Sequence, residues 1–157
     1  MAPPRSTLHR LRRFAGIDRR ERTLLIEAAL LLALARIALK IAPFPWLARR
    51  LGRFVTPAEA RRLDAAARPA DPDSRVAADV SIAIGRAAGA LPFEVVCLPR
   101  AIASRMMLAR RGVASVLHFG AATGGEKPFE AHAWLDAAGV EVTGYPATGF
   151  TEIACFV

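Results

Sequence analysis

Cys97 and His132 are the residues of this 157-residue chain whose types and settings could do chemistry together. Cys97 lies in Val95-Val96-Cys97-Leu98-Pro99-Arg100, a stretch that opens a predicted helix with proline in its first turn. A thiol at that position faces unpaired backbone N–H groups and the positive end of the helix dipole, which favour the nucleophilic thiolate. The same N–H groups are donors for an oxyanion formed nearby. His132 lies in Phe129-Glu130-Ala131-His132-Ala133-Trp134-Leu135, whose alternation predicts a strand. An imidazole brought beside the thiol would complete a cysteine-hydrolase dyad, with sulfur as nucleophile and ring nitrogen as general base.

Such a base needs a group that fixes its tautomer. Asp136 shares the face of His132 but stands about 13 Å further along the strand, and Glu141 is nearer the following turn. A backbone carbonyl, the Thr143 hydroxyl or a water are the other choices. His118, in Val116-Leu117-His118-Phe119, is a competing base whose apolar neighbours predict a packed side chain. Cys155 has no helix-start signal and reads as structural. Cys97, His118, His132 and Cys155 show neither CxxC nor HExxH spacing, so no metal ligands are expected. Neither a Walker loop nor GxGxxG occurs, so no cofactor is expected either.

The elements that must position these residues are legible as a helical first part and a mixed second part. Asp18 is a predicted N-cap for a helix spanning the apolar run from Thr23 to Ala42. Glu27, Arg36 and Lys40 interrupt that run, and its longest uncharged piece, Ala28 to Ala35, is too short to cross a bilayer. Pro43 and Pro45 end it. Trp46 to Phe54 reads as a short basic helical turn. Thr56-Pro57-Ala58-Glu59 opens the next helix in the manner of a capping box. Arg68-Pro69-Ala70-Asp71-Pro72-Asp73 is the clearest linker. It divides residues 1–70, an apolar and basic helical region suited to docking a partner, from residues 71–157, the part bearing the chemistry.

In that second part a helix capped by Asp73 or Ser74 runs to Gly89, and the Cys97 helix follows to about Arg111, with Gly112 just beyond its end. Its predicted buried face carries Ile102, Met106, Leu108 and Ala109, while Arg100, Arg105, Arg110 and Arg111 point outward. The period then changes. Strands are expected over Val113 to Phe119, Phe129 to Asp136 and Val140 to Thr143, the last two joined by a tight turn at Ala137-Ala138-Gly139. The first residues, up to Ala15, read as a short amphipathic helix.

The net charge of +8 suits an acidic partner, a nucleic acid or an anionic membrane surface, and equally an alanine- and arginine-rich coding background. Two cysteines and a basic, polar start argue against a secretory signal and for reduced thiols in the cytoplasm.

Taken together, Cys97-Leu98-Pro99-Arg100-Ala101, the helix exit Arg110-Arg111-Gly112-Val113 and Ala131-His132-Ala133-Trp134-Leu135 resemble the transglutaminase-like leader peptidases of lasso peptide biosynthesis. The resemblance covers residues 75 to 157 and, more loosely, the apolar N-terminal helix. It implies an α+β, papain- or transglutaminase-like core, with Cys97 at the nucleophile position and His132 at that of the base. It further implies a protease that cuts the leader from a ribosomally made precursor, acting with a separate ATP-dependent cyclase. The aspartate that such peptidases carry about twelve residues after the histidine falls here at Gly144. Because residues 1–70 lack a helix-plus-hairpin pattern, the implied leader-recognition element is a separate winged-helix protein, docked on the N-terminal helices. Nucleic acid is not among the implied partners, and residues 23–42 are the surface for a partner or a peripheral membrane contact. Two rivals use the same sequence differently: a non-catalytic basic module for an anionic surface or nucleic acid, and a cysteine acyltransferase or amidase on the same dyad.

Overall fold

The computed structural model describes residues 18–66, 71–123, 129–146 and 149–157. The expected helix before Ala15, the Arg68-Pro69-Ala70 half of the linker and the Gly124-Gly125 loop lie outside them.

Helix α1, Arg19–Ile41, begins where Asp18 accepts a bond from the Arg20 N–H. It buries Leu25, Ala28, Leu31, Leu32 and Ala35 at the 3- to 4-residue spacing of one helix face. After a short helix α2, Phe44–Ala48, the chain extends rather than continuing as a helix, and Phe54–Val55 forms strand β1. Helix α3, Pro57–Ala66, opens with the Glu59 N–H bonded to Thr56 Oγ1. The Glu59 carboxylate completes no capping box; it pairs with Arg53 at 2.7 Å. Helix α4, Asp71–Ala90, starts inside the expected linker, and Ser74 caps nothing there: its hydroxyl donates to the Ala138 carbonyl, tying α4 to a distant turn.

Helix α5, Cys97–Ala109, ends in a turn with Gly112 at a φ of 73°. Its buried face differs from the expected one. Ala109 is exposed, and Met107, Leu108 and Ser104 are fully buried. Arg105 turns inward, donating to the carbonyls of Ser115 and Phe156, and burial lowers the pKa of its guanidinium.

Strands β2 (Val116–Thr123), β3 (Phe129–Ala137), β4 (Val140–Thr143) and β5 (Thr151–Phe156) join β1 in one antiparallel sheet ordered β1-β5-β2-β3-β4. Ala138 and Gly139 take φ angles of 49° and 75°, the left-handed pair that a two-residue hairpin requires. Strand β5 was not apparent in the sequence, and it lies near the middle of the sheet.

Alternation along the strands gives the sheet two faces. Leu117, Ala133, Leu135, Ala137, Val142 and Phe156 meet α1, α4 and α5 in one core that draws on both sides of residue 70. Cys155 joins Val55 and Ala60 in a smaller cluster beneath α3 on the other face. One side of α1 has no cover among the described residues: Ile26, Leu30, Leu34, Ile37 and Ile41 are exposed in a continuous stripe. No helix among the described residues is long and apolar enough to cross a membrane.

Candidate active site and a second thiol cluster

Cys97 is the first residue of α5. The capping residue, Val96, contributes no side-chain hydrogen bond, so the first amides of the helix are not consumed by a cap. Pro99 has no N–H and the Arg100 N–H belongs to the first helical turn on the Val96 carbonyl, which leaves Cys97 and Leu98 as the open backbone donors of the helix, while the Arg100 side chain is exposed. The thiol is half-buried and packs against the helix-side core. The approach to it is held from α1: Arg36 donates to the Glu94 carbonyl and stacks its guanidinium over Phe93 at 4.8 Å. Nothing in the local pattern around Arg36 signalled this role, which depends on the packing of α1 against the loop before Cys97.

His132 lies opposite Gly120 in the β2–β3 ladder. Its Nε2 stands 3.0 Å from the carbonyl oxygen of Gly144. A carbonyl only accepts, so Nε2 carries the proton and Nδ1 of the neutral ring is left as the basic nitrogen. The orienting group of His132 is thus a backbone carbonyl. The Thr143 hydroxyl instead accepts from the Leu135 N–H, because a register shift between Leu135 and Asp136 sets Thr143 opposite Leu135. Glu141 accepts from the Tyr145 N–H. The ring of His132 also meets Phe150 edge-on and lies beside Trp134, with centroids 5.9 and 6.2 Å away.

The structure does not join Cys97 to His132. Cys97 packs from the helix side, whereas His132 alternates with Ala133 and Leu135 and so belongs to the other face of β3. No hydrogen bond links the two among the described residues.

His118, by contrast, is the centre of a polar cluster, not of the apolar setting its sequence neighbours suggest. Its Nδ1 is 2.5 Å from Glu152 Oε1 and 3.6 Å from Cys155 Sγ, and its Nε2 is 3.3 Å from Asp136 Oδ2. The ring stacks on Trp134 with centroids 5.3 Å apart. Burial disfavours the His118 cation, but the bonds and charges of Asp136 and Glu152 outweigh it and raise the pKa. Cys155 is fully buried and its thiol donates to Glu152 Oε1 at 3.0 Å. Burial, then that bond and the adjacent negative charge, push the thiol up to about 12. A cysteine, a histidine and an acid are thus assembled here, but the carboxylate suppresses the thiolate that nucleophilic attack requires. Asp136, which also accepts from the Tyr145 hydroxyl at 2.9 Å, serves His118 and not His132.

The sequence model described as the Transglutaminase-like superfamily matches residues 38–155. No curated protein and no solved structure matches the chain.

Proposed function

The chain belongs to the transglutaminase-like superfamily, typically a family of cysteine-dependent enzymes, and from that premise we propose that it is a leader peptidase of lasso peptide maturation. Cys97 is the nucleophile and His132 the general base. The observation that carries this reading is the position of Cys97 as the opening residue of α5, with a cap that leaves the helix-start amides to a substrate. The CLPRA and AHAW elements support the choice of substrate class.

In the proposed reaction His132 Nδ1 takes the thiol proton, and Cys97 Sγ bonds to the scissile carbonyl carbon. The resulting oxyanion is held by the α5 amides. Collapse breaks the C–N bond, and the proton on Nδ1 passes to the leaving amine, which becomes the N-terminus of the core peptide. The leader remains as a thioester on Cys97 until water, deprotonated by His132, releases it. Transfer of the same acyl group to an amine would make the enzyme an acyltransferase, so the step that resolves the thioester separates the two chemistries. Because Cys97 packs from the helix side and His132 lies on the other face of β3, the reading requires a rearrangement that brings both to one bound peptide, and a pair that stays apart in the peptide-bound chain overturns it.

A separate winged-helix protein would present the leader, and the apolar stripe of α1 is the surface we assign to it. An ATP-dependent cyclase would then consume the freed amine. The test is mass spectrometry of the precursor after incubation with the chain and the leader-binding protein. Cleavage is expected with the native protein and not with Cys97→Ala or His132→Ala variants of native circular dichroism. Full cleavage by either variant overturns its assigned role, and a product joined to an amine instead of water replaces hydrolysis by acyl transfer.

A further inference from the structure

The cluster around His118 has the donor set of a metal site, although no spacing motif announces it. His118 Nδ1, Glu152 Oε1 and Cys155 Sγ all lie within 4.8 Å of one another. They come from two strands. His118 and Cys155 are paired across β2 and β5, while a register shift between Phe119 and Gly120 sets Glu152 opposite Gly120. In a regular strand, residues three apart face opposite sides; the extra residue in β5, Ile153, restores Glu152 to the face of Cys155.

We propose that His118, Glu152 and Cys155 form a three-ligand site for a divalent transition metal of the zinc class, with Asp136 orienting the imidazole. Tetrahedral zinc with ordinary bond lengths separates its sulfur, nitrogen and oxygen ligands by roughly 3.3 to 3.6 Å. The Sγ to Nδ1 separation is 3.6 Å, and that of Sγ to Oε1 is 3.0 Å. The 3.0 Å between Sγ and Oε1 and the 2.5 Å between Nδ1 and Oε1 must both open, and a rotation of the Glu152 side chain that withdraws Oε1 opens the two together. Asp136 Oδ2 beside Nε2 supplies the carboxylate that metal-bound histidines commonly have behind them. A thiolate, an imidazole and a carboxylate form a mixed donor set suited to zinc and its neighbours rather than to magnesium or calcium.

Binding is written as an exchange of cations. The metal forms bonds to sulfur, nitrogen and oxygen; the Cys155 thiol proton leaves to solvent, together with any proton on Nδ1. No oxidation occurs. Arg61, from α3, holds the other Glu152 oxygen at 3.2 Å and opposes the added charge, whereas the Glu152 and Asp136 carboxylates favour it. The fourth position is left to water, and the metal would clamp β2 to β5 next to the strand pair that carries His132.

The experiment is titration of the full chain with cobalt(II), followed by the sulfur-to-cobalt charge-transfer band, and competition of zinc against a chromophoric chelator. One equivalent with a thiolate band is expected, lost in Cys155→Ser, retained in Cys97→Ser and weakened about 10- to 100-fold in Asp136→Asn. Thermal unfolding gives a second readout: zinc should raise the midpoint of the native chain and of Cys97→Ser but not that of Cys155→Ser or, should serine at 155 disturb the fold, of Glu152→Gln. Absence of a thiolate band in the native chain overturns the proposal. A band that follows Cys97 instead of Cys155 overturns it equally.

Discussion

Cys97 and Cys155 occupy opposite chemical surroundings in one sheet-and-helix scaffold. The first sits half-buried at the positive end of a helix, with no carboxylate bonded to it among the described residues. The second is sealed beneath α3 against Glu152, with a histidine already in place. The more complete set of side chains therefore surrounds the thiol less able to attack. What separates them is the carboxylate bonded to one sulfur and the partial exposure of the other, not the presence of a histidine.

The sharpest way to break this comparison is to remove each thiol in turn. Cys97→Ala should reduce precursor cleavage by roughly 10⁴-fold, the scale of losing a member of a hydrolytic triad. Cys155→Ser should leave cleavage within a few-fold, and the reverse result would exchange the roles of the two cysteines. Next in size, Arg36→Met should lower kcat by about 10- to 100-fold, because it frees the Glu94 carbonyl and the Phe93 ring that hold the approach to Cys97. Circular dichroism should be unchanged; an unaltered kcat would show that this tether does not position the thiol.

A third test strengthens the weaker site. A Cβ at Gly144 would meet only Glu141 Oε1, at 3.7 Å, so aspartate has room there. Gly144→Asp should place a carboxylate near His132 and, at about 1.4 kcal/mol of added stabilisation of the imidazolium, raise kcat by about tenfold. Loss of activity would favour the existing carbonyl as the better orienter.

The smallest effect concerns the far side of the helical layer. Glu27 has its pKa lowered from 4.5, first by the hydrogen bond from Arg111, against the opposing cost of burial, and further by the charge of Arg111 and by Arg110. A depressed carboxyl contributes stability that is present above its unfolded value and lost as pH falls through its folded one. The thermal midpoint of the native chain should therefore fall relative to Glu27→Gln below about pH 4.5, by the equivalent of about 1 kcal/mol for a half-buried pair at the rim of the helical layer. Parallel curves for the two proteins would remove Glu27 from the acid response.

The sequence disclosed those features that depend on neighbours in the chain. Asp18 and Thr56 cap helices as their types require, and the Ala138-Gly139 turn and the helix opening at Cys97 are equally local. The superfamily match agrees with the α+β core expected from CLPRA and AHAW. What stayed hidden depends on strand pairing. Strand β5 has little pattern of its own, and without its bulge nothing places Glu152, Cys155 and His118 on one face. Arg105 departs from its expected outward position for a related reason: helix period and charge point it to solvent, whereas its partners, Ser115 and Phe156, are supplied by later parts of the chain.

The place of β5 also governs the order in which the sheet can assemble. Strand β1 pairs with β5, Phe54 opposite Phe156 and Val55 opposite Cys155. The ladder therefore waits for a loop of about a hundred residues to close, an entropic delay that grows slowly with loop length but slows folding. Until then β5 has a bare edge where β1 will pair, and ribbon-like self-association competes with the native partner during refolding.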